Sequence, residues 1–197
     1  MKSKAEPRHK HGPHTSVQLS QKTWPIFDRL FAANGGVWGG CWCTFYQRTG
    51  HFDANAYEGN RRAKRKLVKE GMAHGTIVLC GEDPVGWCQF GPREELPRID
   101  TRKNYAPTAE DAWRVTCFFV SRGHRKQGFG ELALTESISA MRKAGVRSVE
   151  AYPVEGERSA TLLWSGTPAL FEKAGFSRVG PLGKNSWVYS LSLGRKR

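Results

Sequence analysis

One stretch of the chain, residues 113–130 (WRVTCFFVSRGHRKQGFG), constrains the fold more than any other. Residues 115–120 form an apolar run rich in β-branched and aromatic side chains, which is typical of a buried strand. A basic turn through Arg125 and Lys126 follows, and residues 128–130 then open a segment in which apolar residues recur at helical spacing. Free backbone N–H groups and the positive end of a helix dipole converge at such a junction, and glycine lets a ligand approach the backbone. The stretch therefore predicts a site for a phosphate or pyrophosphate group.

Two phosphate-binding patterns fit these residues. A Gly-x-Gly-x-x-Ala spacing that starts at Gly128 matches a dinucleotide fingerprint, and Glu150 lies near the distance expected for the acid that binds the ribose. That fingerprint has its first glycine directly after the strand, whereas residues 121–127 intervene here. The second pattern is R-x-x-G-x-G at residues 125–130, and it resembles the coenzyme A loop of the GNAT N-acetyltransferases.

A second motif supports this resemblance. Residues 169–176 (ALFEKAGF) resemble the late helix of that family and the glycine-phenylalanine pair that ends it. Gly175 is also a plain candidate for the left-handed residue that closes a helix. Because the two motifs occur in the family's order, the second half of the chain is similar to GNAT enzymes by motif, and the first half by element order.

Apolar periodicity and turn signals predict the order β-α-α-β-β-β-α-β-α-β-β. The predicted strands are residues 16–19, 76–80, 85–90, 115–120, 146–152, 176–179 and 186–191, and a basic helix is predicted at 58–72 with Ala63, Leu67 and Val68 facing inward. The resemblance implies an α/β (α+β) fold with a mixed, mostly antiparallel central sheet flanked by helices, the GNAT-like acyl-CoA N-acyltransferase fold. A chain of 197 residues favours one such domain, at 15–197, preceded by a basic flexible arm at 1–14.

The chain is strongly basic, with a formal net charge of +13. Basic residues are concentrated at both ends and at 61–69, and such clusters can bind nucleic acid. Since no RNA- or DNA-binding motif accompanies them, a solvated helix face is favoured, and nucleic acid stays the less favoured partner. No apolar stretch approaches the ~20 residues of a membrane span, so no membrane partner is expected. The oligomeric state, a homodimer included, is left open.

The five cysteines are an odd number and do not form a disulfide framework, which favours a reducing, cytoplasmic location. Cys41 and Cys43 form a Cys-x-Cys pair, but a structural zinc site usually has two close-spaced ligand pairs. We expect buried thiols there and no metal. Residues 39–46, rich in glycine and aromatic residues, could also form a wall of an acceptor pocket.

The resemblance also implies a chemistry. In GNAT enzymes an amine attacks the thioester of acetyl-CoA directly, and the enzyme positions the reactants, gives the amine proton a route and stabilises the oxyanion. By position, the backbone of Phe118, Phe119 and Val120 is expected to pair with the pantetheine arm, and Arg125, Lys126, Gln127, Gly128, Phe129 and Gly130 are expected to hold the pyrophosphate.

The residues that act as acid and base in that family are replaced at the matching positions of this chain. Arg114 stands where histone-type members have a glutamate base, Phe171 where the tyrosine acid is common, and Trp164 where an asparagine is common. Tyr152 and Glu150, near the end of the predicted fifth strand, are our candidate catalytic residues. The competing interpretations are a packed aromatic residue and an exposed strand carboxylate.

Three functions follow from these features. The first is an acyltransferase that moves an acetyl group from acetyl-CoA to an amine of a small molecule or peptide in a ternary complex. The second is a non-catalytic acyl-CoA-binding sensor or scaffold of GNAT fold, since the family tyrosine and glutamate are missing. The third is a nucleic-acid-associated basic protein. The sequence does not identify the acceptor.

We predict that Cys41 and Cys43 bind no stoichiometric metal, because only one close-spaced ligand pair is present. Elemental analysis of protein purified without chelator or metal-affinity resin checks this. One zinc per chain would make the segment a structural knuckle instead.

Overall fold

A computed structural model describes residues 14–155 and 164–194 of the chain. The strands are β1 (His14–Gln18), β2 (His74–Cys80), β3 (Asp83–Gly91), β4 (Trp113–Val120), β5 (Ser148–Ala151), β6 (Ser177–Pro181) and β7 (Trp187–Ser192), and the helices are α1 (Trp24–Ala32), α2 (Tyr57–Lys69), α3 (Phe129–Lys143) and α4 (Pro168–Lys173). The element order is the predicted one. The predicted basic arm lies outside the described residues, apart from His14, which starts β1.

All seven strands form one sheet in the order β1-β2-β3-β4-β5-β7-β6. Only β4 and β5 run parallel; every other neighbouring pair is antiparallel. The predicted mixed, mostly antiparallel fold is therefore confirmed. The parallel pair joins residues 113–115 to residues 149–151, after which β5 ends while β4 continues to Val120. The second half of β4 thus has no strand partner in β5.

The hydrophobic core has two parts, one on each face of the sheet. Successive residues of a strand point to opposite faces, and Cys117 belongs to one cluster while Phe118 belongs to the other. The first cluster packs α1 on the sheet through aromatic contacts, with the Phe27 ring centroid 4.9 Å from that of Trp87. The second cluster packs α3 and α4 on the other face. Within residues 14–155 and 164–194, no helix is both long and apolar enough to cross a membrane.

The buried face of α2 differs from the prediction. It consists of Asn60, Lys64 and Val68, so the interpretation of the basic residues as a solvated face is wrong for Lys64. The Lys64 ammonium donates to the Cys43 carbonyl (3.2 Å) and to Gln47 Oε1 (2.7 Å), which satisfies it inside the core. The long apolar stem of a lysine can pack inside a core while its polar tip reaches hydrogen-bond acceptors. The spacing of apolar residues along a helix does not indicate a lysine buried in this way.

We expect the Lys64 ammonium to make stability depend on pH. Burial lowers the pKa of Lys64 from 10.5 to about 8, so the native state loses this proton at a lower pH than the unfolded chain. The free energy of unfolding of the wild type, relative to Lys64→Met, should therefore rise between about pH 8 and pH 10.5, by on the order of 3 kcal/mol. Urea unfolding of both proteins across this range measures the difference.

Lys66→Met is the matched control, because Lys66 lies on the same helix with its side chain 75% exposed. The difference in the free energy of unfolding between Lys66→Met and the wild type should not change with pH over the same range. The prediction would be contradicted if the difference between Lys64→Met and the wild type also did not change with pH.

Candidate active site

A large cavity of about 770 Å³ opens where β4 continues past the end of β5. Its lining comes from the end of β4, from the turn that leads into α3, from the start of α4 and from the segment after α1. These residues are Phe118, Phe119, Val120, Arg125, Lys126, Gly128, Gly130, Glu131, Trp164, Gly166, Thr167, Leu170, Asn34, Val37 and Trp38. Most of the predicted coenzyme-binding residues therefore face one cavity.

Two of the predicted coenzyme-binding residues lie elsewhere. The Gln127 side chain donates to the Gly123 carbonyl (3.0 Å) and so holds the turn together. Phe129 is buried in the core cluster under α3, with its ring centroid 5.6 Å from that of His124. Neither Gln127 nor Phe129 lines the cavity, and both support the turn through contacts with other parts of the protein. Contact of either side chain with a ligand stays a prediction.

The turn before α3 presents backbone N–H groups to the large cavity. Gly128 has a φ of +85°, a left-handed conformation that favours glycine, and the first intrahelical bond runs from the Leu132 amide to the Gly128 carbonyl (2.9 Å). The amides before Leu132 thus have no partner within the helix. At Gly130 an added Cβ would have only Val120 Cγ2 nearby, at 4.0 Å, so the backbone is open to a ligand. This end of α3 is suited to bind an anion.

Within the described residues, the edge of β4 that extends beyond β5 has a backbone partner from outside the sheet. The Phe118 amide donates to the Trp164 carbonyl (2.5 Å), at the residue that leads into α4. The amide that the resemblance assigns to pantetheine therefore has a protein partner in this structure. Its pairing with the coenzyme stays a prediction, and it would require Trp164 to release the bond.

A second, smaller cavity of about 210 Å³ adjoins the first, and we call it the aromatic pocket. Its lining consists of aromatic rings, thiols and one alanine: Trp38, Phe45, Tyr46, Phe52 and Trp164, then Cys41, Cys43 and Cys117, and Ala54. Trp38 and Trp164 line both cavities, with ring centroids 4.6 Å apart in an edge-to-face contact. The two tryptophans thus mark the boundary between the cavities.

The loop that carries Trp38 has a strained backbone. Val37, Trp38, Trp42 and Cys43 have φ values between +45° and +55°, which L-residues with a side chain rarely adopt. Among the described non-glycine residues, the only other one with positive φ is Lys126, in the turn before α3. Strain is therefore confined to the two loops that line the cavities.

Three titratable groups of the aromatic pocket, Tyr46, Cys43 and Cys41, have raised pKa values, which favours their neutral forms. Burial raises the pKa of Tyr46 to about 12 and raises the pKa of the Cys43 thiol well above its usual value. The hydrogen bond with Cys43, together with burial, raises the pKa of Cys41 in the same direction. All five cysteines are free thiols, and Cys43 Sγ lies 3.1 Å from Cys117 Sγ. Among the described residues, no group of three or more His, Cys, Asp or Glu is placed to hold a metal ion.

Trp38, Phe52 and Ala54 line the aromatic pocket from outside residues 39–46, and sequence reasoning missed them. Tyr46 lies within that segment. Its hydroxyl accepts a hydrogen bond from Trp164 Nε1 (3.3 Å) at the boundary between the two cavities. The only signal was its place in residues 39–46, the segment expected to form a wall of the acceptor pocket. Nothing in that segment distinguishes Tyr46 from the neighbouring aromatic residues.

Tyr152 and Glu150 lie away from both cavities, in a closed network. The Glu150 carboxylate accepts from the Tyr152 hydroxyl (2.7 Å), the Tyr105 hydroxyl (2.6 Å) and the Thr108 amide (2.5 Å). Glu150 is fully buried, so the competing interpretation of an exposed strand carboxylate is wrong. Burial raises the pKa of Tyr152 well above its usual value. The catalytic role of both residues stays a prediction, and these contacts give it no support.

Two of the three substituted family positions, Arg114 and Phe171, are structural. Arg114, where a glutamate base is common, is fully buried and bonds both carboxylate oxygens of Asp100 (2.8 and 2.9 Å). Phe171, where a tyrosine acid is common, is fully buried with its ring centroid 5.8 Å from that of Phe118. Neither side chain offers an acid or a base to the cavities.

On this geometry, Tyr152→Phe should cost stability and leave turnover nearly unchanged. The variant removes one buried hydrogen bond to the Glu150 carboxylate, which is worth about 1–3 kcal/mol. We expect a lower urea midpoint, with kcat within about twofold of the wild type at a temperature where both proteins are folded. Tyr105→Phe is the matched control, since it removes another donor from the same carboxylate. A loss of roughly 10²–10⁴-fold in kcat for Tyr152→Phe alone would instead support the catalytic role.

Comparison with known proteins places this geometry in a family. The model of the Acetyltransferase (GNAT) family matches residues 41–176. None of the curated proteins matches the chain. Similar solved structures include the acetyltransferase from Thermus thermophilus, with 17% identity, a TM-score of 0.55 and coverage of 93% of this chain and 99% of that one.

Two further similar structures contain the coenzyme. The paia N-acetyltransferase from Thermoplasma acidophilum, in complex with coenzyme A, is 12% identical, with a TM-score of 0.51 and coverage of 91% and 99% of the two chains. The protein yncA from Salmonella typhimurium, with its cofactor acetyl-CoA, is 14% identical, with a TM-score of 0.51 and coverage of 93% and 95%. At these identities the structures show a shared fold. Because the family model covers more than half of the chain, the protein belongs to the GNAT family of acetyltransferases.

Proposed function

We propose that this protein transfers an acetyl group from acetyl-CoA to an amine of a small molecule or peptide, by direct attack in a ternary complex. The observation that carries the proposal is the large cavity, which joins the N-terminus of α3 to the free edge of β4 in a GNAT-family chain. The structures of two similar proteins with coenzyme A or acetyl-CoA support it.

The turn before α3 would hold the phosphates of the coenzyme. The open backbone at Gly128 and Gly130 and the positive end of α3 supply directional donors, and the side chains of Arg125 and Lys126 add positive charge in the cavity wall. Glu131 also lines this region, but Lys173 pairs with its carboxylate at 2.7 Å, which reduces its repulsion of an anion.

The reacting thioester would lie near Phe118 and Trp164. The phosphate site follows the end of β4, so a coenzyme that runs back along the strand brings its thioester toward Phe118. The neutral amine attacks there, and the enzyme contributes chiefly by holding the two reactants in reach. Because a protonated amine has no lone pair, kcat/KM should rise with pH until the free amine predominates. Phe171 has no proton to donate to the leaving thiolate. Tyr46, at the boundary of the two cavities, is the tyrosine that the described linings contain.

The five free thiols suit a reducing compartment, and we propose a cytoplasmic location for the protein. Its proposed partners are acetyl-CoA and the amine.

Acetyl-CoA should raise the melting temperature of the protein, and NAD should not, because the basic turn precedes the glycines. Gly130→Val should abolish this shift by placing a side chain over the open backbone. Gly130 is a better choice than Gly128, since its backbone has an ordinary φ and a side chain there adds little strain. Thermal shift across a series of acetyl-CoA concentrations measures the effect.

Gly123→Val is the matched control, because Gly123 lies in the same turn but outside the cavity lining, with open space around its Cβ position. It should keep the full acetyl-CoA shift. An equal shift with NAD would contradict the cofactor assignment. An acetyl-CoA shift without acetylation of any amine in a broad panel would favour the non-catalytic sensor.

A further inference from the structure

We propose that the aromatic pocket binds an uncharged aromatic side group of the acceptor amine. This inference rests on the proposed function and names its substrate class. It is drawn from the pocket's position beside the reacting end of the large cavity, from its lack of charge and from its size.

The first argument is the position of the aromatic pocket relative to the large cavity. The large cavity extends from the turn before α3 to Phe118 and Trp164, and the aromatic pocket begins at Cys117 on the same strand. Alternate residues of a strand point to the same face, so Cys117 in the pocket and Phe119 in the large cavity lie on one face of β4. Trp38 and Trp164 belong to both linings. An amine held at the thioester can therefore place its side group in the aromatic pocket.

The chemistry of the lining excludes a charged side group. No described lining residue is an Asp, Glu, Lys, Arg or His. The pKa values of the Cys41 and Cys43 thiols and of the Tyr46 phenol are raised, which favours their neutral forms. A carboxylate or a second ammonium would lose its hydration there without an ionic partner, which is costly. By contrast, an aromatic group stacks favourably on the rings of the lining and makes favourable contacts with the sulfur atoms of the thiols.

The size fits a ring. The pocket volume is about 210 Å³, and an engineered apolar cavity of ~150 Å³ binds benzene. A phenyl or indole group fills most of such a space, whereas the methyl of an acetyl group leaves it nearly empty. The strained backbone at Trp38, Trp42 and Cys43 is a second observation that points to a site, because strain of this kind is retained where a ligand surface needs it.

The first experiment compares three amines with the wild-type protein and acetyl-CoA, by mass spectrometry of the products. We expect kcat/KM for 2-phenylethylamine to exceed that for ethylamine by roughly 10- to 100-fold, which is the effect of burying one ring. The carboxylated analogue 4-(2-aminoethyl)benzoate should fall below 2-phenylethylamine by at least about tenfold, since its carboxylate would be buried. Equal values for the phenyl and carboxyphenyl amines would overturn the proposal.

The second experiment fills the pocket. Ala54 lines the aromatic pocket but not the large cavity and is partly exposed, so Ala54→Leu adds volume with little risk to folding. We expect KM for 2-phenylethylamine to rise at least about tenfold, while the thermal shift with acetyl-CoA stays unchanged. Ala56→Leu, in the same segment but outside both linings, is the control and should behave as the wild type. An unchanged KM in Ala54→Leu would contradict the assignment.

A binding measurement separates this inference from the proposed function. The product analogue N-acetyl-2-phenylethylamine should raise the melting temperature of the wild type more than N-acetylethylamine does, and Ala54→Leu should remove the difference. This result is expected even if no acetyl transfer is detected, so a failure of catalysis alone overturns only the proposed function. Faster transfer from phenylacetyl-CoA than from acetyl-CoA, lost in Ala54→Leu, would show that the pocket holds an acyl group and would overturn the inference.

Discussion

The site depends on one constraint: β5 pairs with β4 over residues 113–115 and then ends. Backbone N–H and C=O groups need partners, so on the side of β4 away from β3 the remaining groups must be bonded by something other than β5. At Phe118 that partner is the carbonyl of Trp164, and beyond it the strand edge faces the large cavity. The early end of a four-residue strand therefore creates the space in which a ligand can lie along β4.

Much of this arrangement could be predicted from the sequence, because it depends on local chemistry. The apolar run of β4, the basic turn and the glycines are contiguous, and each has a direct backbone consequence that the structure shows at Gly128. Gly175 likewise ends α4 with a φ of +90°. The order of strands and helices followed from periodicity and turn signals together with the family resemblance, although element ends differ by a few residues, as for β5.

The rest could not be predicted because it depends on contacts between distant segments. Lys64 is buried because Cys43 and Gln47, from another segment, satisfy its ammonium. Glu150 belongs to a network because Tyr105 and Thr108, from the loop before β4, reach it. The sequence shows that Glu150 lies near the end of a strand, but it does not show whether a distant loop covers the carboxylate. Trp38 was missed for the same reason, since its place at the cavity boundary is set by a strained loop.

The bond between the Phe118 amide and the Trp164 carbonyl has a consequence for ligand binding. A pantetheine arm that takes this amide must displace Trp164, and the same tryptophan forms part of the aromatic pocket. Coenzyme and acceptor would then be linked through one residue, so the first to bind changes the affinity for the second. By reciprocity each ligand changes the affinity for the other by the same factor, so the arrangement of Trp164 would decide how tightly the coenzyme and the amine are held together in the ternary complex.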